Sequence, residues 1–348
     1  MKDYTVKKLR NVCLLSHGGA GKTTLAEAML FNTGVLDRFG KVVDGTTTTD
    51  YDPEEIKRKI SINTSIAPCE WKDHKINVID TPGYFDFVGE VKQGIRVADG
   101  AIILVPAKGG IAVGTEKSWA YAKEQNIPKM FFVSKMDEEH ANFFEVFDSL
   151  VSTFGNGVIA FQIPIIENEK FVGIVDVINM KAKKFEKDKL VDTSIPANLN
   201  DKVAELREKL KEAVAETDEE LMEKFFEGED FTPEEINKGL RIGVADGSIV
   251  PVFCGSAINN AGVQLLMDAI IEYMPAPDHN SVVKAKKPGS EDVVELKVSP
   301  DESLSVLVFK TIADPFVGRI SMFRVYSGTL KSDSVVYNTT TEKTEKIA

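Results

Sequence analysis

The sequence predicts an α/β protein: a doubly wound, mostly parallel sheet interrupted by an inserted α+β segment and followed by the opening strands of a β-barrel. Three observations carry this. An apolar run, a glycine-rich loop and a helical run follow one another over residues 12–30. Strand-like and helix-like segments then alternate to about residue 135. From Ser303 onward the segments are short, β-rich and closely spaced, as in a barrel.

The loop is Ser16-His17-Gly18-Gly19-Ala20-Gly21-Lys22-Thr23-Thr24, set between Val12 to Leu15 and Leu25 to Leu30. Strand, glycine-rich loop, Gly-Lys-Thr and helix form the setting of a phosphate-binding loop. The glycines let backbone N–H groups turn inward around a phosphate, and the helix N-terminus adds the positive end of its dipole. Lys22 would reach the β- and γ-phosphates, and the Thr23 hydroxyl would ligate Mg²⁺. Ser16 stands where the first glycine of the pattern is usual. A plain turn with no ligand is the alternative; the motif with both flanks favours a nucleotide.

At 348 residues the chain is too long for one core and predicts two or three domains. Its 43% hydrophobic and 28% charged residues exclude a disordered chain. Cys13, Cys69 and Cys254 are widely spaced, which favours buried thiols in a reducing cytoplasm over a disulfide framework. The N-terminus leads into only a few apolar residues, so no signal peptide or membrane span is expected. A net charge of −12 argues against nucleic acid, but −9 of it falls between Asn200 and Glu235. The acidity is local, and basic patches elsewhere remain open.

Residues 35–63, with the run Thr46 to Thr49, show no core periodicity and read as a long mobile segment beside the site. Strands return at Ile76 to Ile79, Ala101 to Val105 and Met130 to Val133, with a helix carrying Trp119 and Tyr121 before the last. Each strand delivers polar residues at its carboxyl end, where open α/β sheets bind ligands. Short strands at Phe161 to Ile165 and Phe171 to Val175 open a second unit. A charged helix with Val203, Leu206, Leu210 and Val214 on one face follows. Thr217 with Glu220, and Thr232 before Pro233, mark two further helix starts. Ile249 to Phe253 is again a core strand, and a helix begins near Val263. The division is therefore 1–155 with 248–278 as one domain, 156–247 as an insertion, and 279–348 as a linker and part of a barrel. The β region is too short to close a barrel without exposed edges, so the chain reads as truncated there.

Four elements decide the nucleotide. Asp80, followed by Pro82 and Gly83, can hold Mg²⁺ while the Gly83 N–H faces the γ-phosphate. In Ser134-Lys135-Met136-Asp137, a carboxylate can take the two N–H donors of the guanine edge, with the Lys135 stem along the base. Adenine lacks that donor pair, and a site built for hydrogen bonds rejects a base without them. Backbone N–H groups of Gly255-Ser256-Ala257 can meet guanine O6. Singly these strings are weak; in this order at strand ends they predict GTP and GDP as ligands. A P-loop ATPase is disfavoured by Asp137 and by Ser256-Ala257.

With these residues the chain resembles the translational GTPases, and within them elongation factor G. The run Trp71 to Gly83, Cys254 to Ala257 with Gly262 to Gln264, and Asp314 to Gly318 with Tyr326 to Leu330 carry the likeness. The resemblance covers essentially the whole chain. It implies a P-loop GTPase domain, an inserted G′ subdomain at 156–247 and the start of a second domain. It also implies a cytoplasmic, monomeric GTP-hydrolysing factor that acts on the ribosome, meeting rRNA and the ribosomal stalk protein, with no membrane partner. The tetracycline-resistance ribosomal protection proteins share the architecture and are the neighbouring alternative.

The departures from the family pattern are specific. Its switch I Arg-Gly-Ile-Thr appears as Arg58-Lys59-Ile60-Ser61, with Ser61 offering the metal-binding hydroxyl and Lys59 replacing a glycine. Ser134 replaces the Asn of the guanine motif, and Gly18-Gly19 replace Ile-Asp. The family's water-positioning histidine is here Tyr84, a weak base at neutral pH whose hydroxyl can still orient a water. Packing in switch II is its plainer role. None of His17, His74, His140 and His279 takes the vacant place by sequence. The competing expectation is a ribosome-binding, GTP-dependent module with little hydrolysis.

Overall fold

β1 (Leu9–Leu15) runs buried through the sheet and ends at the glycine-rich loop, from which α1 (Lys22–Asn32) starts. The computed structural model describes residues 2–186, 189–279, 282–314 and 317–347. After α1 come α2 (Pro53–Arg58), β2 (Ser65–Trp71), β3 (His74–Asp80), α3 (Val88–Arg96), β4 (Gly100–Pro106) and α4 (Val113–Glu124). β5 (Lys129–Ser134), α5 (Phe143–Phe154) and β6 (Val158–Ala160) follow. The sheet is completed much later in the chain.

The insertion holds β7 (Gln162–Glu167), β8 (Lys170–Asp176), β9 (Lys181–Glu186) and β10 (Lys189–Thr193). Its helices are α6 (Asn200–Ala215), α7 (Glu219–Phe226) and α8 (Pro233–Asp246). β11 (Val250–Cys254) then re-enters the first sheet, and α9 (Val263–Tyr273) ends the unit. The large sheet has the order β2-β3-β1-β4-β5-β11-β6. Only β2 is antiparallel to its neighbour. Every residue of β5 and β11 is buried, as expected of strands covered on both faces. The chain steps from β1 to β3 on one side and β4 on the other, so the loop after β1 opens into the crevice at the switch point.

β6 pairs with β11 in the large sheet, so the segment that leaves this sheet begins after Ala160. Within it, β10-β9-β8-β7 form a separate antiparallel sheet. Val203, Leu206, Leu210 and Val214 are buried on one face of α6, each side chain contributing about 1.5–3 kcal/mol. Arg207 donates to the Ile178 carbonyl at the end of that sheet. The start expected at Thr217 is corrected: Asp218 is the cap of α7, accepting from Glu220 N at 3.0 Å, and Thr217 donates to Val214 O instead. α8 begins at Pro233 behind the Thr232 cap, as its sequence predicts.

The expectation for residues 35–63 also needs correction. No apolar period marks them because buried carboxylates, not apolar side chains, order them. Glu27 of α1, 1% exposed, accepts from Gly40 N at 3.0 Å and Thr48 N at 2.8 Å. Glu55 of α2 is fully buried and accepts from Asp52, Ile62 and Asn63 N–H groups at 2.8–3.1 Å. Lys59 closes α2 with φ 56, the left-handed conformation that favours glycine. Lys59→Gly is therefore expected to raise the unfolding free energy by about 1 kcal/mol in urea titration, with nucleotide selectivity unchanged.

Lys8–Pro275 form one unit, and Ala276–Ala348 with Met1–Lys7 the other. The described residues of the second form three hairpins. β12 (Val282–Lys286) pairs with β13 (Val293–Lys297), β14 (Ser305–Asp314) with β15 (Gly318–Ser327), and β16 (Val335–Asn338) with β17 (Lys343–Lys346). Pro315 and Phe316 of the motif Asp314 to Gly318 lie outside the described residues. The three cysteines are buried free thiols, pushed well above their ordinary pKa by burial. Among the described residues no helix is long and apolar enough to cross a membrane.

Candidate nucleotide site

Gly19 and Gly21 have φ 80 and 99, which only glycine adopts freely, and they turn the loop into α1. No side chain caps α1, so the N–H groups of its first turn face the crevice. Lys22 is buried, and its Nζ donates to Ser16 Oγ at 2.8 Å. Burial lowers its pKa to about 8 against the opposing pull of Asp80 and Asp50. Ser16, the departure from the glycine pattern, thus gives the lysine a resting partner. His17 turns its ring edge-on to Phe85, 6.1 Å between centroids, so it offers the loop's backbone and not its imidazole.

Four oxygens converge behind Lys22. Asp80 Oδ2 accepts from Thr23 Oγ1 at 2.9 Å and from Thr49 Oγ1 at 2.8 Å. Ser61 Oγ lies 2.9 Å from Thr23 Oγ1, so the aligned serine reaches the site despite Lys59. Asp80 is 1% exposed, and its Oδ1 has no hydrogen-bond partner among the described residues. Burial raises the Asp80 pKa, against the favourable charge of Lys22. Burial also pushes Asp50 up to about 6, opposed by a hydrogen bond from Ser61 and reinforced by the charge of Asp80. Clustered buried carboxylates with an unpaired oxygen, beside two hydroxyls, fit Mg²⁺, a hard cation that takes oxygen ligands. Thr23 and Ser61 would hold it directly, and Asp80 would do so through water.

The two loops expected to meet the base are tied to the phosphate loop and to each other. Ser134 Oγ donates to Ala20 O at 2.8 Å, tying the end of β5 to the phosphate loop. Met136 N donates to Gly255 O at 3.2 Å, joining this loop to the one after β11. Asp137 projects as an exposed carboxylate. Lys135, with φ 60, pairs through Nζ with Glu138 at 2.9 Å. The expectation for Gly255-Ser256-Ala257 is narrowed. Gly255 N donates to Val133 O and Ser256 N to Ala261 O, which leaves the Ala257 N–H for a ligand.

Tyr84 is 42% exposed beside the phosphate loop, and its hydroxyl makes no hydrogen bond to a described residue. Gly83 lies against Gly18 and Lys22 Nζ. His74 opens β3 at the far end of that strand from Asp80, and His140 sits in a turn with φ 66. His279 belongs to the other unit. Sequence reasoning missed Glu27, Thr49, Asp50 and Glu55. For Thr49, Asp50 and Glu55 the only signal was acidic and hydroxyl residues within a segment lacking apolar period, a pattern that a solvated loop shares, and Glu27 lay unmarked within the α1 run.

The fold and this corner define a P-loop GTPase: a mostly parallel sheet whose switch-point loop, strand-end Asp80 and Ser134–Asp137 loop face one crevice. More particularly, the chain belongs to the family described as the elongation factor Tu GTP binding domain, which matches residues 7–276. Elongation factor G domain 2 matches residues 303–348. The crystal structure of a Thermus thermophilus protein is similar, with 33% identity and a TM-score of 0.87. That similarity covers 98% of this chain and 48% of the other, so this chain spans about half the length of that protein.

Proposed function

We propose that this chain is the GTP-binding portion of a translation factor of the elongation factor G type, hydrolysing GTP on the ribosome. The observation that carries the reading is the convergence of Lys22, Thr23, Ser61 and Asp80, with Ser134 tying the base loop to the phosphate loop. The same reading takes 1–155 and 248–278 as the GTPase domain, extended to Ala160 by the pairing of β6. The insertion then runs to 247, and 279–348 opens the next domain. The factor works in the cytoplasm as a monomer, with rRNA and the ribosomal stalk protein as partners.

In this mechanism Lys22 and the first-turn N–H groups of α1 hold the phosphates. Gly83 N–H senses the γ-phosphate, so the arrangement of residues 40–63 and 83–88 depends on whether GTP or GDP is bound. When bound, Mg²⁺ supplies charge neutralisation at the phosphates. Hydrolysis then rests on positioning a water, with no covalent intermediate. Titrating labelled GTP against ATP, then measuring GTP turnover of the full-length protein with and without ribosomes, tests the proposal. Tighter ATP binding would overturn it. Tyr84 favours a second reading, a GTP-dependent ribosome-binding module with little hydrolysis, and the turnover measurement separates the two.

The acidic segment Asn200–Glu235, which opens with α6, is proposed to dock the stalk protein. Part of its charge is compensated on the helix: Glu205 pairs with Lys202 and Lys209, and Glu208 with Lys211. Such exposed pairs are worth about 0–1 kcal/mol each, so reversing Glu205, Glu208 and Glu212 to lysine leaves the fold intact. The triple reversal is expected to slow ribosome association and reduce its salt dependence in stopped-flow binding. Unchanged rates would mark the face as merely solvated.

A further inference from the structure

Gly18 differs from the other two glycines of the phosphate loop. Gly19 and Gly21 have positive φ, and a β-carbon on either would meet nothing within 4 Å. Gly18 has no such backbone demand, yet a β-carbon there would lie 2.9 Å from Cε2 and Cζ of Tyr84 and 3.2 Å from Cε1. The next link is as tight: a β-carbon on Gly83 would come 2.7 Å from the Gly18 N and α-carbon and from Lys22 Nζ. Residues 83–84 therefore rest directly on the loop, and the tyrosine ring fills the volume that a side chain at 18 would need.

We infer that Gly18 is the positioning residue for Tyr84: its missing side chain is the seat that holds the ring against the phosphate loop, so the two departures from the family pattern are one coupled change. Backbone contact at Gly83 fixes where the ring starts, and the bare α-carbon of Gly18 leaves room for its distal end. Its hydroxyl, without a hydrogen-bond partner among the described residues, is then kept beside the loop, open to water or a phosphate-bound ligand. A methyl group at 18 pushes on the far end of a side chain that can rotate. Gly18→Ala should thus displace the ring without unfolding the loop. The consequence for hydrolysis rests on the function proposed above; the seating itself does not.

The test uses the full chain labelled with 3-fluorotyrosine and observed by fluorine NMR without nucleotide, the Tyr84 signal being assigned with Tyr84→Phe. Gly18→Ala is expected to move that signal. Gly89→Ala, whose β-carbon meets nothing within 4 Å, is expected to leave it in place. In single-turnover hydrolysis, Gly18→Ala should slow the tyrosine form by on the order of 10-fold and the Tyr84→His form far less. If Gly18→Ala lowers the thermal midpoint, adding Tyr84→Ala should restore it. An unmoved signal, equal losses in both backgrounds, or a midpoint that Tyr84→Ala does not restore overturns the inference. Absent hydrolysis in every form would refute the proposed function, while the fluorine signal would still decide the seating.

Discussion

Asp137→Asn is expected to lower GTP affinity by on the order of 10⁴-fold and to turn the preference toward xanthosine triphosphate. Guanine presents two N–H donors side by side, and a carboxylate is an acceptor at both oxygens. An asparagine amide keeps one acceptor and replaces the other with a donor, which faces the guanine amino group and leaves both unpaired. Xanthine carries an oxygen at that place, so the same amide fits it. The loop is held independently of this side chain, by Ser134 Oγ to Ala20 O and Met136 N to Gly255 O. The substitution should therefore change selectivity and not folding. Competition between GTP and xanthosine triphosphate for the purified protein measures it; unchanged selectivity would remove Asp137 from the base site.

Tyr84→His is expected to raise ribosome-stimulated GTP turnover by roughly 10-fold or more, with GTP affinity nearly unchanged. A phenol is a weak base at neutral pH, whereas an imidazole titrates near it. The side chain is 42% exposed and its hydroxyl is uncommitted within the described chain, so the exchange breaks no hydrogen bond. Under the proposed function, affinity rests instead on Lys22, the loop amides and the Thr23–Asp80–Ser61 oxygens, which already lie together. Single-turnover phosphate release with saturating ribosomes compares the two forms of the full-length protein. A fast tyrosine form slowed by histidine would mean that this chain positions its water by another route, and would exclude the non-hydrolysing reading.

Local chemistry made the phosphate loop and the core strands legible from residue order alone. Gly19 and Gly21 must be glycine because of their own φ, and β4, β5 and β11 announce themselves as unbroken apolar runs. Capped starts such as Thr232-Pro233 are equally local. Edge strand β2, with alternating burial and Pro68 within it, left no such mark, nor did β6, three residues long and paired only with the distant β11.

Tertiary structure alone decided what depends on groups far apart in the chain. Residues 40–63 are ordered by Glu27 and Glu55, whose buried carboxylates satisfy backbone N–H groups up to 21 positions away. A carboxylate in a polar stretch looks the same whether it is solvated or buried, and only burial turns it into a fastener. Two of the three N–H groups expected for the base are already engaged, which residue order cannot show. Gly18 and Tyr84 stand 66 positions apart and read as unrelated departures until the fold sets one ring on one bare α-carbon. Composition names the groups available for chemistry; their distances, and therefore their pairings, exist only once the sheet has closed around the loop.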